Sequence, residues 1–126
     1  VDLDVGGNRL TGALHPEISR LNRLESLYLE DNNFVGTLPP EWSRMDKLIF
    51  FSVAEDDLEG TLPAEYSKWG NIEEFVVSGN DLTSKIPVQY SRWSAIADFD
   101  VRENRLTGSL PPQFSILTKL SNLEVS

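Results

Sequence analysis

The sequence contains no cysteine, only one histidine and one methionine, and no long run of apolar residues. The absence of cysteine excludes disulfide bonds and cysteine-ligated metal centres. A membrane-spanning helix needs about 18 consecutive apolar residues, and no stretch approaches that length, so this segment is not expected to insert into a membrane. The one imidazole, His15, lies on a predicted turn away from the acidic strip described below, which argues against a Ser-His-Asp arrangement. We therefore expect no catalytic residue, no enzyme activity and no cofactor.

Basic residues are also scarce. The 126 residues include 11 lysines and arginines against 20 aspartates and glutamates, and the net charge is −9. A nucleic-acid-binding protein usually carries the opposite balance. The composition therefore argues against nucleic acid as a partner and favours a basic protein or peptide.

Apolar residues recur with a strict period of 24 residues. The first apolar column contains Leu3, Leu27, Phe51, Phe75, Phe99 and Leu123. Two residues later comes a second column of Val5, Leu29, Val53, Val77, Val101 and Val125. A period of about 20 to 50 residues indicates a solenoid, in which each repeat is one unit stacked on the next.

A polar column follows each apolar pair. It contains Asn8, Asn32, Asp56, Asn80 and Asn104. An asparagine side chain offers both a donor and an acceptor to backbone groups left open by a turn. This column predicts a structural ladder of side-chain hydrogen bonds between successive coils.

The second repeat shows how one unit is built. Leu27 and Leu29 alternate with polar residues, which predicts a short strand with two inward side chains. Pro39 ends the extended part. The apolar residues that follow at steps of three predict a short 3₁₀ turn.

Residues 24–39 resemble a leucine-rich repeat of the 24-residue plant type, whose pattern is LxxLxLxxNxLxGxIPxxLxx. The resemblance covers the whole chain, with local departures at His15, Asp56 and Ser84. It implies an α/β solenoid: a right-handed superhelix with a parallel concave β-sheet and convex turns and 3₁₀ segments. We expect one array over residues 1–126, made of about five 24-residue repeats and forming an uncapped fragment of a longer protein. Uncapped ends predict end-to-end self-association.

A finer resemblance lies in the helical parts of the repeats. Residues 39–43, 63–69 and 87–93 carry an aromatic-serine pair, and residues 106–112 read LTGSLPP. This is similar to the repeats of trypanosomatid surface antigens, the promastigote surface antigen and proteophosphoglycan-like families. The resemblance implies an extracellular or cell-surface protein that interacts with host molecules.

Acidic residues are concentrated on the predicted outer face of the concave sheet. This acidic strip holds twelve of the 20 acidic residues, whereas Arg102 is its only basic residue. Its acids are Asp2, Asp4, Glu25, Glu30, Asp31, Glu55, Glu73, Glu74, Asp98, Asp100, Glu103 and Glu124. A hydrated acidic face can simply keep an array soluble, but so many aligned carboxylates also favour a face that attracts a cationic partner.

Two aromatic residues interrupt the acidic strip. Tyr28 and Phe50 lie on adjacent predicted strands, and Val76 follows on the next. Exposed aromatics inside a charged rim are typical of a binding hot spot. The predicted ligand-binding residues, called the concave site below, are Tyr28, Glu30, Phe50, Ser52, Glu74, Val76, Asp98, Asp100 and Arg102. A flat sheet supplies too few oxygens for calcium, so no metal is expected there.

Three functions remain open. The first is a non-enzymatic protein-interaction module of a cell-surface or secreted protein that binds a basic protein or peptide on its concave face. The second is a structural spacer or coat repeat without a specific ligand. The third is a receptor ectodomain of the plant receptor-kinase type, which would recognise peptide or steroid-like ligands.

Overall fold

The computed structural model describes residues 1–126 as a stack of coils, each with an inward-facing apolar strand. Six short strands form one parallel sheet, in which each strand pairs with the strand 24 residues later, so that Leu27 lies opposite Phe51. These strands are β1 (Asp2–Asp4), β3 (Ser26–Tyr28), β5 (Phe50–Ser52), β7 (Glu74–Val76), β9 (Asp98–Asp100) and β11 (Asn122–Glu124). The strict repeat therefore places equivalent residues side by side across the sheet.

A second parallel sheet of five strands follows the first along each coil. Its strands are β2 (Thr11–Ala13), β4 (Asn33–Thr37), β6 (Asp57–Thr61), β8 (Asp81–Ser84) and β10 (Arg105–Leu106). The sequence predicted an extended segment that ends at Pro39 but no second sheet. Three of these strands, β2, β4 and β6, contain a glycine with φ between +82° and +94°. Glycine weakens an isolated strand, so the sheet forms only because neighbouring coils supply its partners.

Short 3₁₀ helices complete each coil, as the apolar spacing predicted. Four of them follow a proline with φ near −60°, and the first follows His15. Their bounds are Pro16–Arg20, Pro40–Arg44, Ala64–Lys68, Val88–Arg92 and Pro112–Ile116. No helix in the structure has the length and apolar character that crossing a membrane requires.

The apolar columns form one continuous core of 25 buried residues. Aromatic rings run through it from coil to coil: Trp69 stacks on Trp93 with ring centroids 6.5 Å apart, and Phe75 stacks on Phe99 at 5.7 Å. Each tryptophan also donates its indole N–H to a backbone carbonyl of the preceding coil, at 2.9 to 3.1 Å. The tryptophans therefore satisfy their polar group while filling the core.

The asparagine column joins neighbouring coils by hydrogen bonds. Asn32 accepts the backbone N–H of Leu10 at 3.0 Å and donates to the carbonyl of Val5 in the preceding coil at 3.1 Å. Asn80 and Asn104 repeat the arrangement, and Asn8 donates to carbonyls of its own turn. Asp56 makes only the acceptor half of this pattern, from the N–H of Phe34 at 3.0 Å.

Candidate functional site on the concave sheet

The strand register brings the residues of the concave site into two adjacent rows. One row runs Tyr28, Ser52, Val76 and Asp100, and the other runs Phe50, Glu74 and Asp98. In each row, neighbouring side chains stand on neighbouring parallel strands, about 4.8 Å apart. Glu30 and Arg102 lie two residues beyond the ends of β3 and β9, after the first row.

Two residues of the concave site are less accessible than the alternation predicted. Ser52 is 5% exposed and Asp100 is 7% exposed. Ser52 stands between the larger side chains of Tyr28 and Val76, and Asp100 is covered by Arg102. The expectation that both face solvent is therefore wrong, because an outward direction on a crowded sheet does not ensure exposure.

Arg102 neutralises Asp100. Its Nε donates to Asp100 Oδ1 at 3.0 Å and its Nη2 donates to Oδ2 at 2.9 Å, a two-pronged contact that raises the pKa of the guanidinium. Glu124 lies 3.9 Å from the same guanidinium. A carboxylate held in this way is not free to bind a cation from a partner.

Three carboxylates of the concave site have no basic partner. Asp98 accepts only a neutral donor, Asn122 Nδ2, at 2.9 Å. Glu74 is half-buried, and burial raises its pKa, with Asp98 and Glu30 adding to the rise by repulsion. Glu30 has one oxygen buried without a hydrogen-bond partner. Negative charge is therefore uncompensated around the middle of the sheet.

Tyr28 and Phe50, the aromatic residues of the concave site, lie beside these carboxylates. Burial raises the pKa of Tyr28, and the carboxylates of Glu74, Glu30, Asp2 and Asp4 raise it further. Tyr28 and Phe50 are both partly exposed. A cation placed on these rings would gain both the attraction of the carboxylates and that of the ring faces.

The concave site is an open surface rather than a cavity. The largest depression of the molecule, about 630 Å³, lies instead at the edge of the first coils, beside Arg23, Glu25 and Lys47. Small-molecule sites are usually concave pockets. The geometry of the sheet therefore suits an extended or flat partner. No group of three or more acidic or histidine side chains is placed to hold a metal ion.

A family model described as Leucine Rich Repeat matches residues 23–45. The chain also resembles the solved ectodomain of the receptor kinase GASSHO1/SCHENGEN3 from Arabidopsis thaliana, in complex with CASPARIAN STRIP INTEGRITY FACTOR 2. The TM-score is 0.87, with 36% identity over 89% of this chain. The chain has the leucine-rich-repeat fold. The predicted fold class is thereby confirmed.

Two further structures share the leucine-rich-repeat fold. The plant peptide hormone receptor RGFR1, in complex with RGF2, has a TM-score of 0.93 and 29% identity over 94% of this chain. A plant ice-binding protein has a TM-score of 0.85 and 27% identity over 90%. The chain spans 13%, 19% and 37% of the lengths of the three solved chains, in the order given. No curated protein matches it significantly.

Sequence reasoning missed the small residues that shape the leucine-rich-repeat surface. The Glu30 carboxylate lies over Gly6 of the preceding coil, where a Cβ atom would come within 3.1 Å of Oε1. Gly6 and Glu30 belong to one column of the repeat. Ala54 and Ser78 occupy this column in the two coils after Glu30, and both are buried. The sequence shows these small residues at steps of 24. Their effect on the surface depends on the size of the neighbouring side chains, which only the structure shows.

Proposed function

We propose that the chain is a non-enzymatic protein-interaction module of a cell-surface or secreted protein, and that its concave site binds a basic protein or peptide. The observation that carries the proposal is the placement of Tyr28 and Phe50 among carboxylates that lack a basic partner. The arginine-paired Asp100 takes no direct part. Glu30, Glu74 and Asp98 supply the attraction, and the rings supply contact area.

The likeness to receptor ectodomains solved with CASPARIAN STRIP INTEGRITY FACTOR 2 and RGF2 supports a protein or peptide partner. Part of a receptor ectodomain is accordingly the second candidate, and it predicts a membrane-spanning segment and a kinase elsewhere in the whole protein. The resemblance to trypanosomatid surface antigens stays a hypothesis, which the reported likenesses do not support. If the chain is instead a structural spacer without a ligand, it should show no saturable binding.

The binding proposal can be tested with an alternating Arg-Gly decapeptide as the probe, measured by fluorescence anisotropy at low and physiological salt. Glu74→Lys combined with Asp98→Lys should weaken capture about tenfold or more at low salt. The matched control, Glu59→Lys with Glu65→Lys, changes the net charge equally, but on side chains outside the concave sheet. It should have a much smaller effect.

The aromatic residues separate a specific site from general charge attraction. Tyr28→Ser with Phe50→Ser leaves the net charge unchanged and should weaken binding about tenfold, since both rings are removed. Equal binding by the concave variants and the control variants would contradict the concave site. Absence of saturable binding to the parent chain would favour the spacer.

Self-association through the terminal coils is a separate prediction. Leu10, Leu123 and Val125 are exposed there. Sedimentation velocity over a range of chain concentrations would detect it, and a single concentration-independent monomer species would contradict it.

A further inference from the structure

The asparagine ladder has a regular donor pattern that can be read at Asn80. Its Nδ2 donates to the carbonyl of Val77 in its own coil at 3.1 Å and to that of Val53 in the preceding coil at 2.9 Å. Its Oδ1 accepts the N–H of Leu58 at 3.0 Å. Asn32 and Asn104 make the same three contacts. Each ladder amide therefore stands between two stacked carbonyl oxygens.

Asp56 occupies this place without an amide. Its Oδ1 accepts the N–H of Phe34 at 3.0 Å, the same distance as in the asparagine coils. Its Oδ2 is buried and has no hydrogen-bond partner, and the residue is 7% exposed. By the ladder pattern, Oδ2 faces the carbonyls of Leu29 and Val53. Each of these carbonyls accepts a hydrogen bond from one asparagine of the ladder, whereas the carbonyl of Val77 accepts hydrogen bonds from two.

An ionised carboxylate is unfavourable in this position. Its buried oxygen would face carbonyl oxygens, and a buried charge without a partner is costly. The ladder neighbours on either side, Asn32 and Asn80, are uncharged. The nearby charged groups on the adjoining turns and strand are Asp31, Glu55 and Asp57, all acidic and exposed. No basic residue pairs with Asp56, whereas a protonated carboxyl would supply the missing donor.

We propose that in mildly acidic solution Asp56 of the folded chain carries a proton and donates it to the carbonyl of Leu29 or Val53. This contact between coils then depends on a carboxyl proton, where the other coils use an asparagine amide. The contact lies directly after strand β5, which carries Phe50 and Ser52 of the concave sheet. The titration of Asp56 makes the stability of the array depend on pH at this one coil. The inference is independent of the proposed binding function.

The sign of the pH dependence follows from the direction of the shift. Burial raises the pKa of Asp56 from 3.8 to about 6 against the opposing effect of the backbone N–H groups of Phe34 and Asn32, and Asp57 and Asp31 add smaller rises. A group whose pKa is higher in the folded state contributes stability at low pH, which is lost as pH rises through the folded value. The contribution of Asp56 to the stability of the fold should thus decline between about pH 4 and pH 6. A pKa difference of this size between the folded and unfolded states changes the folding equilibrium constant by about 100-fold.

The test compares the chain with Asp56→Asn and with Asp57→Asn, a neighbouring exposed control. Urea unfolding is measured from pH 4 to pH 7.5, and the carboxyl carbon of Asp56 is titrated by NMR. We expect Asp56 to titrate near pH 6. We expect Asp56→Asn to raise the folding equilibrium constant by about 10- to 100-fold at pH 7, and to remove the corresponding pH dependence. Asp57→Asn should leave that dependence in place.

Two results would overturn the proposal. One is titration of Asp56 at or below its ordinary value. The other is the same pH dependence in Asp56→Asn as in the parent chain. Since asparagine already occupies this column in the other coils, Asp56→Asn is expected to fold.

Discussion

At the scale of single residues, the core is held by polar atoms as well as by apolar contact. Tyr66 and Tyr90 are fully buried, and each hydroxyl donates to a proline carbonyl of the preceding coil at 2.8 Å. Burial keeps the pKa of both phenols well above its usual range, so each hydroxyl retains the proton that it donates. Each tyrosine therefore joins two coils by a hydrogen bond inside a stack of rings.

Tyr66→Phe tests the value of one such bond. The substitution keeps the ring and removes the donor to Pro39, whose carbonyl still accepts the N–H of Trp42. We expect the free energy of unfolding to fall by about 1 kcal/mol. Urea denaturation measures it, with Tyr28→Phe on the partly exposed surface as the control, expected to change stability by less than about 0.5 kcal/mol. Equal effects at both sites would contradict the role given to the buried hydroxyl.

At the scale of elements, the second sheet depends on a left-handed backbone position within its strands. Gly12, Gly36 and Gly60 occupy it in β2, β4 and β6, and Ser84 occupies it at the end of β8 with φ of +71°. Gly108 has the same conformation two residues beyond β10. The sequence predicted the departure at Ser84 but not the sheet around it. The structure adds that Ser84 keeps the glycine conformation and therefore bears strain that a glycine would not.

Two opposite substitutions test this position. Ser84→Gly should stabilise the chain by up to about 1 kcal/mol, because relief of the strained φ exceeds the extra freedom of glycine in the unfolded chain. Gly60→Ala should destabilise it by about 1 to 2 kcal/mol. At Gly60 φ is +82°, and a Cβ atom would lie 2.9 Å from Thr37 Cγ2. Thermal or urea unfolding would show the two signs, and a shared sign would contradict the account.

At the scale of the whole molecule, charge is segregated while the core is continuous. The concave sheet carries the uncompensated acids, and repulsion between Glu30, Glu74 and Asp98 raises the pKa of Glu74 in addition to its burial. A folded chain with net charge −9 concentrated in this way is destabilised by self-repulsion. The array tolerates this cost because its stability comes from the rings and ladders that link successive coils.

Salt should therefore stabilise the chain. Raising sodium chloride from about 10 mM to about 100 mM shortens the screening length from about 30 Å to about 10 Å, so the free energy of unfolding at pH 7 should increase. Glu74→Gln with Asp98→Asn should show a smaller increase. Glu59→Gln with Glu65→Gln removes as much charge elsewhere and should retain most of it. A salt-independent unfolding free energy in the parent chain would contradict the repulsion.

The 24-residue period was sufficient to predict the solenoid, the first sheet, the 3₁₀ turns and the inward columns, because each depends on spacing along the chain. Candidate surface residues such as Tyr28 and Phe50 followed from the same alternation. The structure leaves their role in binding as a proposal.

Tertiary structure alone decided the features that depend on a neighbouring coil. The second sheet needs partners about one repeat away, and the exposure of Ser52 depends on the side chains beside it. Asp100 is removed from the accessible acids by the conformation of Arg102, and the stacking of coils buries an oxygen of Asp56 without a hydrogen-bond partner. Periodicity in the sequence determines which way a side chain points, whereas packing between coils determines whether it is exposed, paired or charged.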